Sequence, residues 1–123
     1  MLGILRRKKT RREAAAAQQW ERLQASARQL GPGFHIVQVD KVYQQARNGS
    51  KAYVIWTETG MRQDTWFEGW VPRPGSFILL RGSVGYGPHN NNPKVLYVGP
   101  GGVHSTASAD ALSAWQRQRN RQA

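Results

Sequence analysis

The sequence contains no cysteine and only seven acidic residues among its 123 residues. Without cysteine the chain has no disulfide framework, no thiol nucleophile and no thiolate ligand for a metal ion. The scarcity of carboxylates argues against an acid–base catalytic pair, which needs two such groups together in an apolar cleft. No apolar run approaches the length of about 20 residues that a membrane-spanning helix requires.

The N-terminus also lacks the order of a secretory signal, in which basic residues precede a long apolar region. Here a short apolar tip, residues 1–5, comes before the basic run from Arg6 to Lys9. This order, together with the absence of cysteine, predicts a cytoplasmic protein without a transmembrane segment.

No motif for catalysis or for cofactor binding occurs in the chain. The histidines at positions 35, 89 and 104 lack the spacing of metal ligands. Gly85 and Gly87 belong to no GxGxxG or Walker pattern, and no helix is expected to open after them to receive a phosphate. We therefore expect a protein that is not an enzyme and that binds neither a metal ion nor another cofactor.

Positive charge is the most prominent property of the composition. Eighteen basic residues give the chain a net charge of +11 and an isoelectric point near 11.1. Residues 1–30 carry eight basic and two acidic side chains, whereas residues 31–104 carry seven and four. Such a chain favours a polyanionic partner, which can be nucleic acid (DNA or RNA), anionic lipid or an acidic protein surface. The first candidate contacts are Arg6, Arg7, Lys8, Lys9, Arg11 and Arg12.

The N-terminal segment predicts a flexible basic tip over residues 1–9 and an amphipathic helix over residues 10–30. Thr10 and Glu13 match a capping box, and four alanines follow them. Apolar residues then recur at helical spacing, at Ala16, Trp20, Leu23, Ala27 and Leu30. We expect this face to pack on the sheet of its own chain, with the surface of a partner as the alternative.

Residues 34–104 predict a small β-domain. Runs of β-branched and aromatic residues bounded by glycine, proline and asparagine predict five strands, at residues 34–45, 51–58, 65–71, 76–84 and 94–98. Asn48-Gly49 predicts a type I′ hairpin turn between the first two strands. The crowded apolar residues of the first strand predict a bulge near Ile36-Val37. A final helix over residues 107–119 and a basic tail belong to the C-terminal segment, residues 105–123.

These elements predict a mainly β fold in which a small five-stranded antiparallel barrel lies between an N-terminal and a C-terminal helix. The links between strands are short, which favours an SH3-like or meander barrel. An OB-type barrel is less favoured, because the residues between Val71 and Phe77 are too few for the helix that typically joins its third and fourth strands.

The predicted third strand carries the main candidate binding surface. Trp66 and Trp70 are expected on its less buried face, with Arg62 and Arg73 close to them in sequence. Aromatic and arginine side chains that alternate in this way are typical of surfaces that bind single-stranded nucleic acid by base stacking and charge attraction. The loop after the fourth strand adds Tyr86 and His89 as candidate contacts.

The sequence therefore predicts a basic β-domain that binds a polyanion, with nucleic acid as the expected partner. The alternative is a structural component of a large complex or virus particle, whose basic termini act as arms toward neighbouring subunits. Association with further copies of the chain, or with a different chain, is open under either hypothesis.

Overall fold

Six strands form one curled sheet, with one helix before it and another after it. The computed structural model describes residues 2–122, with side chains from residue 7 onward. The elements are α1 (Leu2–Leu30), β1 (His35–Ala46), β2 (Gly49–Trp56), β3 (Arg62–Glu68), β4 (Phe77–Leu80), β5 (Val95–Val98), β6 (Val103–Ala107) and α2 (Ala111–Gln122), and a short 3₁₀ turn (Gly87–His89) lies between β4 and β5. The predicted mainly β fold between two helices is thus confirmed.

The order of the strands across the sheet is β5-β3-β2-β1-β4-β6. β1 pairs antiparallel with β2 and with β4, β2 pairs antiparallel with β3, and β4 does so with β6. β3 and β5 run parallel. Just after β4, the backbone of Ser83 exchanges two hydrogen bonds with that of Tyr97 in β5, at 3.0 and 2.7 Å. This bridge joins distant parts of the sheet, which curls into a half-barrel.

The predicted barrel was wrong in two respects. The described chain has six strands, because Val103–Ala107 pairs with β4, whereas we had expected this segment to lie at the end of a loop and the start of a helix. The sheet is also mixed rather than antiparallel, because β3 and β5 are parallel. The strand β6 is short and polar, so its sequence carries no alternation of large apolar residues. The SH3-like barrel is not confirmed.

Two apolar cores lie on opposite sides of β4. Ile78 and Leu80 point into the curled sheet and pack with residues of β1, β2, β3 and β5, namely Val37, Val39, Ala52, Val54, Phe67, Leu96 and Val98. Phe77 and Leu79 point the other way and pack against both helices, at Trp20, Leu23 and Ala111. None of the four β4 residues exposes more than 2% of its surface, so this strand is buried on both faces.

The apolar face of α1 packs on the sheet of its own chain, as expected. Trp20 and Leu23 are buried, and the Trp20 ring meets the Phe77 ring edge-on, with 4.9 Å between the centroids. The helix begins at Leu2 rather than at Thr10. Thr10 and Glu13 therefore lie inside the helix and do not form a capping box at its start.

β1 and β2 form the predicted hairpin, although its turn lies one residue earlier than expected. Ala46 pairs with Gly49, so the turn residues are Arg47 and Asn48. No non-glycine residue in the described part of the chain has positive φ, which excludes a type I′ turn over these two residues. Glycine is needed at position 49 for a steric reason, because a Cβ there would collide with the carbonyl oxygen of Phe67 and lie 2.8 Å from the Trp66 ring.

β1 is also less regular than its sequence indicates. The register with β2 shifts between Val39 and Lys41 and again between Val42 and Gln44. Asp40 and Tyr43 are thus bulged residues, and the predicted bulge near Ile36-Val37 was wrong. A bulge leaves one residue unpaired, increases the local twist and redirects side chains.

We expect Gly49→Val to destabilise the domain by about 1–3 kcal/mol or more, since overpacking of a close-packed site typically costs this amount. The measurement is the urea midpoint of unfolding. Gly101→Val is the matched control, because a Cβ at Gly101 meets no atom within 4 Å. Equal midpoints for the two variants would contradict the steric role of Gly49.

Replacement of both Trp20 and Leu23 by alanine should lower the melting temperature by many degrees, since large apolar truncations in a core each cost about 2–5 kcal/mol. Leu30→Ala is the control on the same helix, because Leu30 is 38% exposed. If the double variant melts like the unmodified protein, the contact between α1 and β4 contributes nothing to stability.

Candidate nucleic-acid interface

The outer surface of β2 and β3 is the side of the curled sheet that neither core uses. Ala52 and Val54 of β2 and Phe67 of β3 point into the core inside the curled sheet, which we call the interior core. The alternate residues of these two strands therefore point outward. The helices pack instead on the side formed by β4, β6 and the start of β1. The outward residues and one bulged residue of β1 form a cluster that we call the tyrosine face: Tyr43, Lys51, Tyr53, Arg62 and Asp64.

Two aromatic rings stack at the centre of the tyrosine face. The centroids of Tyr43 and Tyr53 are 4.7 Å apart, and the planes of the rings differ by 26°. The guanidinium carbon of Arg62 lies 3.9 Å from the Tyr53 centroid, and the Lys51 ammonium lies 5.6 Å from that of Tyr43. Each ring thus carries a cation within the range of a cation–π interaction.

The first bulge of β1, at Asp40, explains how Tyr43 reaches this position. It shifts the alternation of the strand by one residue, so that Val39 and Val42 both point toward the interior core and Tyr43 points outward. At the second bulge Val42 pairs with Ala52 and Gln44 pairs with Lys51, so Tyr43 has no partner residue in β2. A regular ladder without the first bulge would turn Tyr43 toward the core and away from Tyr53.

Asp64 connects Tyr43 to Lys51. The Tyr43 hydroxyl donates a hydrogen bond of 2.6 Å to one carboxylate oxygen of Asp64, and the Lys51 ammonium lies 3.2 Å from the other. Burial and the hydrogen bond to Asp64 raise the pKa of Tyr43. Burial acts to lower the pKa of Lys51, but its contacts with Tyr43 and Asp64 outweigh that effect and raise it. At neutral pH the phenol is therefore protonated and the amine is charged.

A second ion pair fixes Arg62. Its Nη2 atom lies 3.0 Å from Oδ2 of Asp40, and its Nε donates a hydrogen bond of 3.1 Å to the same oxygen. Asp40 is the other bulged residue of β1. The carboxylates of Asp64 and Asp40 thus hold the Lys51 and Arg62 cations against the rings of Tyr43 and Tyr53. Because the two negative charges are balanced by two positive ones, the tyrosine face carries no excess of negative charge.

Trp66, a predicted contact, is not available on the surface. It points away from Phe67, on the outer side of β3, but only 5% of its surface is exposed. The connection between β4 and β5 covers it, and the His89 ring meets it edge-on, with 5.5 Å between centroids. The indole N–H donates a hydrogen bond of 2.6 Å to Glu68. Trp66 therefore supports the covering loop in this conformation and offers no open ring face.

Trp70 does not share a face with Trp66, contrary to the expectation from the sequence. Gly69, at φ 66°, follows the end of β3 and turns the chain. The Trp70 ring then meets Phe67 edge-on at 5.5 Å and packs against the interior core. Arg73 is exposed beside a groove of about 440 Å³ that Gln19 of α1 and Thr106 of β6 also line. Of the four residues predicted around β3, only Arg62 belongs to the tyrosine face.

Of the two predicted contacts in the β4–β5 connection, His89 lies beside the tyrosine face. His89 covers Trp66, which is the partner of Lys51 in the β2–β3 ladder. Tyr86 is 63% exposed.

The predicted basic residues Arg7, Lys8, Lys9, Arg11 and Arg12 lie on α1 with exposed side chains. Arg6 falls outside the residues whose side chains are described. The structure thus divides the predicted contacts into one group on the sheet and another on the helices.

Tyr43, Lys51 and Tyr53 are not among the contacts that the sequence predicted. A signal for Tyr53 was present, since β2 alternates two apolar sets, Ala52 with Val54 and Tyr53 with Ile55. Only one set can line the core, so the set with the polar ring is the outer one. Tyr43 gave no such signal, because its position depends on a bulge.

Within residues 7–122 no three side chains of histidine, aspartate and glutamate are arranged to hold a metal ion. None of the helices in residues 2–122 combines the length and the hydropathy of a membrane-spanning segment. Comparison of the chain with protein-family models, with curated proteins and with solved structures finds no significant match.

Proposed function

We propose that this protein binds nucleic acid without catalysing a reaction, and that the tyrosine face holds a single-stranded segment. The observation that carries the proposal is the stack of Tyr43 on Tyr53 with Arg62 over the Tyr53 ring. Single-strand-binding proteins combine aromatic rings, on which bases stack, with cations that follow the backbone, and each stacked base contributes about 1–3 kcal/mol. The tyrosine face offers both kinds of group on three adjacent strands, β1, β2 and β3.

The topology supports the same proposal. An OB-type barrel is a partly open Greek-key barrel of five strands, whose β2–β3 face and whose β1–β2 and β4–β5 loops bind oligonucleotides. In this chain β1 to β5 follow the order β4-β1-β2-β3-β5, with the bridge from Ser83 to Tyr97 between the two ends. Four of the five residues of the tyrosine face lie on β2 and β3, and the β1–β2 and β4–β5 loops carry Arg47 and Tyr86. We therefore assign the curled sheet to an OB-type barrel with one added strand, β6.

This assignment includes one departure from the common form. The helix that typically joins the third and fourth strands is missing, since residues 69–76 between β3 and β4 form no helix. The terminal helices α1 and α2 cover the sheet on the β4 side instead. The replacement of that helix by α1 and α2 leaves the β2–β3 side of the barrel unaffected, because α1 and α2 pack on the β4 side.

The charges of the tyrosine face also allow a polyanion to approach, because no carboxylate in the cluster is left without a cation. Its one carboxylate, Asp64, is matched by Lys51, and the neighbouring carboxylate of Asp40 is matched by Arg62. Arg47 in the neighbouring turn is exposed, and the whole chain carries +11. Phosphates that approach the rings therefore meet no unpaired carboxylate within this cluster. The alternative hypothesis, an assembly component, gives the ring stack no specific role.

The proposal predicts that Tyr53→Ala weakens binding of a fluorescently labelled single-stranded 12-mer by about 1–3 kcal/mol, roughly 5- to 140-fold in dissociation constant. The measurement is fluorescence anisotropy at several salt concentrations, with DNA and RNA compared. The dependence on salt should change little, because a stacking contact releases no counterion. His104→Ala is the matched control, since it removes an exposed ring on β6, away from the tyrosine face.

Equal affinities for the Tyr53 and His104 variants would overturn the proposal for the tyrosine face. A protein that binds neither DNA nor RNA but forms larger assemblies in light scattering would favour the assembly hypothesis instead.

A further inference from the structure

The two basic ends of the chain meet in the structure, although more than 100 residues separate them in sequence. Glu13 of α1 accepts hydrogen bonds from Arg117 and Arg121 of α2, at 2.9 and 2.8 Å. Closer to the sheet, Ala16 and Ala17 pack against Ala114. These contacts make the two helices antiparallel, so the first turns of α1 lie beside the last turns of α2.

This end of the helix pair concentrates most of the positive charge of the protein. We call it the basic arm and define it as residues 7–13 of α1 and residues 117–121 of α2. It contains eight cationic side chains and one anionic side chain, hence +7 of the net +11. The cations are Arg7, Lys8, Lys9, Arg11, Arg12, Arg117, Arg119 and Arg121.

The acidic residue of the basic arm holds two of its arginines in place. The Glu13 side chain is only 12% exposed, whereas those of Arg117 and Arg121 are 53% and 61% exposed. Hydrogen bonds from Arg121 and Arg117 lower the pKa of Glu13, so it remains ionised at neutral pH. The two guanidinium groups are thus anchored at one edge and open to solvent at the other.

An aromatic ring holds the third arginine of α2. The guanidinium carbon of Arg119 lies 4.8 Å from the centroid of the Trp115 ring, a cation–π contact. Long side chains that are already positioned lose less conformational entropy when they bind a ligand. The side chains of all three arginines of α2 are therefore preorganised to bind an anion.

The five cations that α1 contributes to the basic arm have no anionic partner among the side chains described from residue 7 to residue 122. Like charges on neighbouring turns of a helix repel one another. An external anion would relieve this cost, and a groove of about 770 Å³ between the helices offers it a place, lined in part by Lys9, Arg12 and Arg117.

We propose that the basic arm is a second binding surface, which takes the phosphate backbone of the nucleic acid independently of the tyrosine face. The inference rests on the proposed function for the identity of the polyanion. A lipid surface suits the described part of the arm less well, because an interfacial helix needs an open apolar face. The apolar residues Trp20, Leu23 and Ala114 are instead buried against the sheet and the other helix.

The salt dependence of oligonucleotide binding tests this inference. Arg11→Gln with Arg12→Gln removes two charges from α1, and Arg119→Gln with Arg121→Gln removes two from α2. If these side chains contact phosphates, each double variant should flatten the log–log salt slope by about 1.4, since each phosphate on a single strand contributes about 0.7. The matched control is Arg22→Gln with Arg28→Gln, which removes the same charge from exposed positions of α1 outside the basic arm.

Inorganic polyphosphate separates this inference from the proposed function, because it carries phosphates but no bases. In calorimetric titrations its binding should be weakened in the two arm variants and unchanged in the control and in Tyr53→Ala. Equal weakening in all three double variants would overturn the inference and leave only general charge attraction. If Tyr53→Ala binds the oligonucleotide normally while the arm variants do not, the tyrosine face fails as a binding site and the basic arm stands.

Discussion

The burial of β4 on both faces is the constraint on which the arrangement of the molecule depends. Ile78 and Leu80 complete the interior core, whereas Phe77 and Leu79 complete the core beneath the helices. A single four-residue strand thus joins two cores, and neither can form fully without the other. Because the helices pack on this side of the sheet, they leave the outer side of β2 and β3 uncovered, and the β4–β5 connection packs on that outer side at Trp66.

The sequence predicted the features that depend on neighbouring residues and missed those that depend on distant ones. The hairpin between β1 and β2 and the packing face of α1 follow from local turn and periodicity signals, and the structure contains both. The parallel pair of β3 and β5 joins segments about 30 residues apart. No local pattern specifies such a pairing, and β6, with its small polar residues, is a strand only because β4 offers it an edge.

At the candidate site too, local sequence patterns did not predict which individual side chains lie on the surface. Trp66 and Trp70 were predicted as contacts because they were expected on the less buried face of their strand, yet a large ring is also well suited to fill a core. Trp66 and Trp70 are packed within the fold, while the tyrosines, whose hydroxyls tolerate water, lie on the open side. The position of Tyr43 depends on a bulge and on a hydrogen bond to Asp64, 21 residues away.

Under the proposals, the molecule separates two contributions to binding that many small binding domains combine. The basic arm carries its charge with few counterions from the protein itself, so it raises the rate of encounter with a polyanion. The tyrosine face, with its matched ion pairs, adds contacts of short range that slow dissociation. Since charges are screened over about 8 Å at physiological ionic strength, an arm cation can hold only phosphates that lie next to it. A bound strand that reaches only the tyrosine face would therefore gain speed of association from the arm, whereas a longer strand that reaches both surfaces would gain affinity as well.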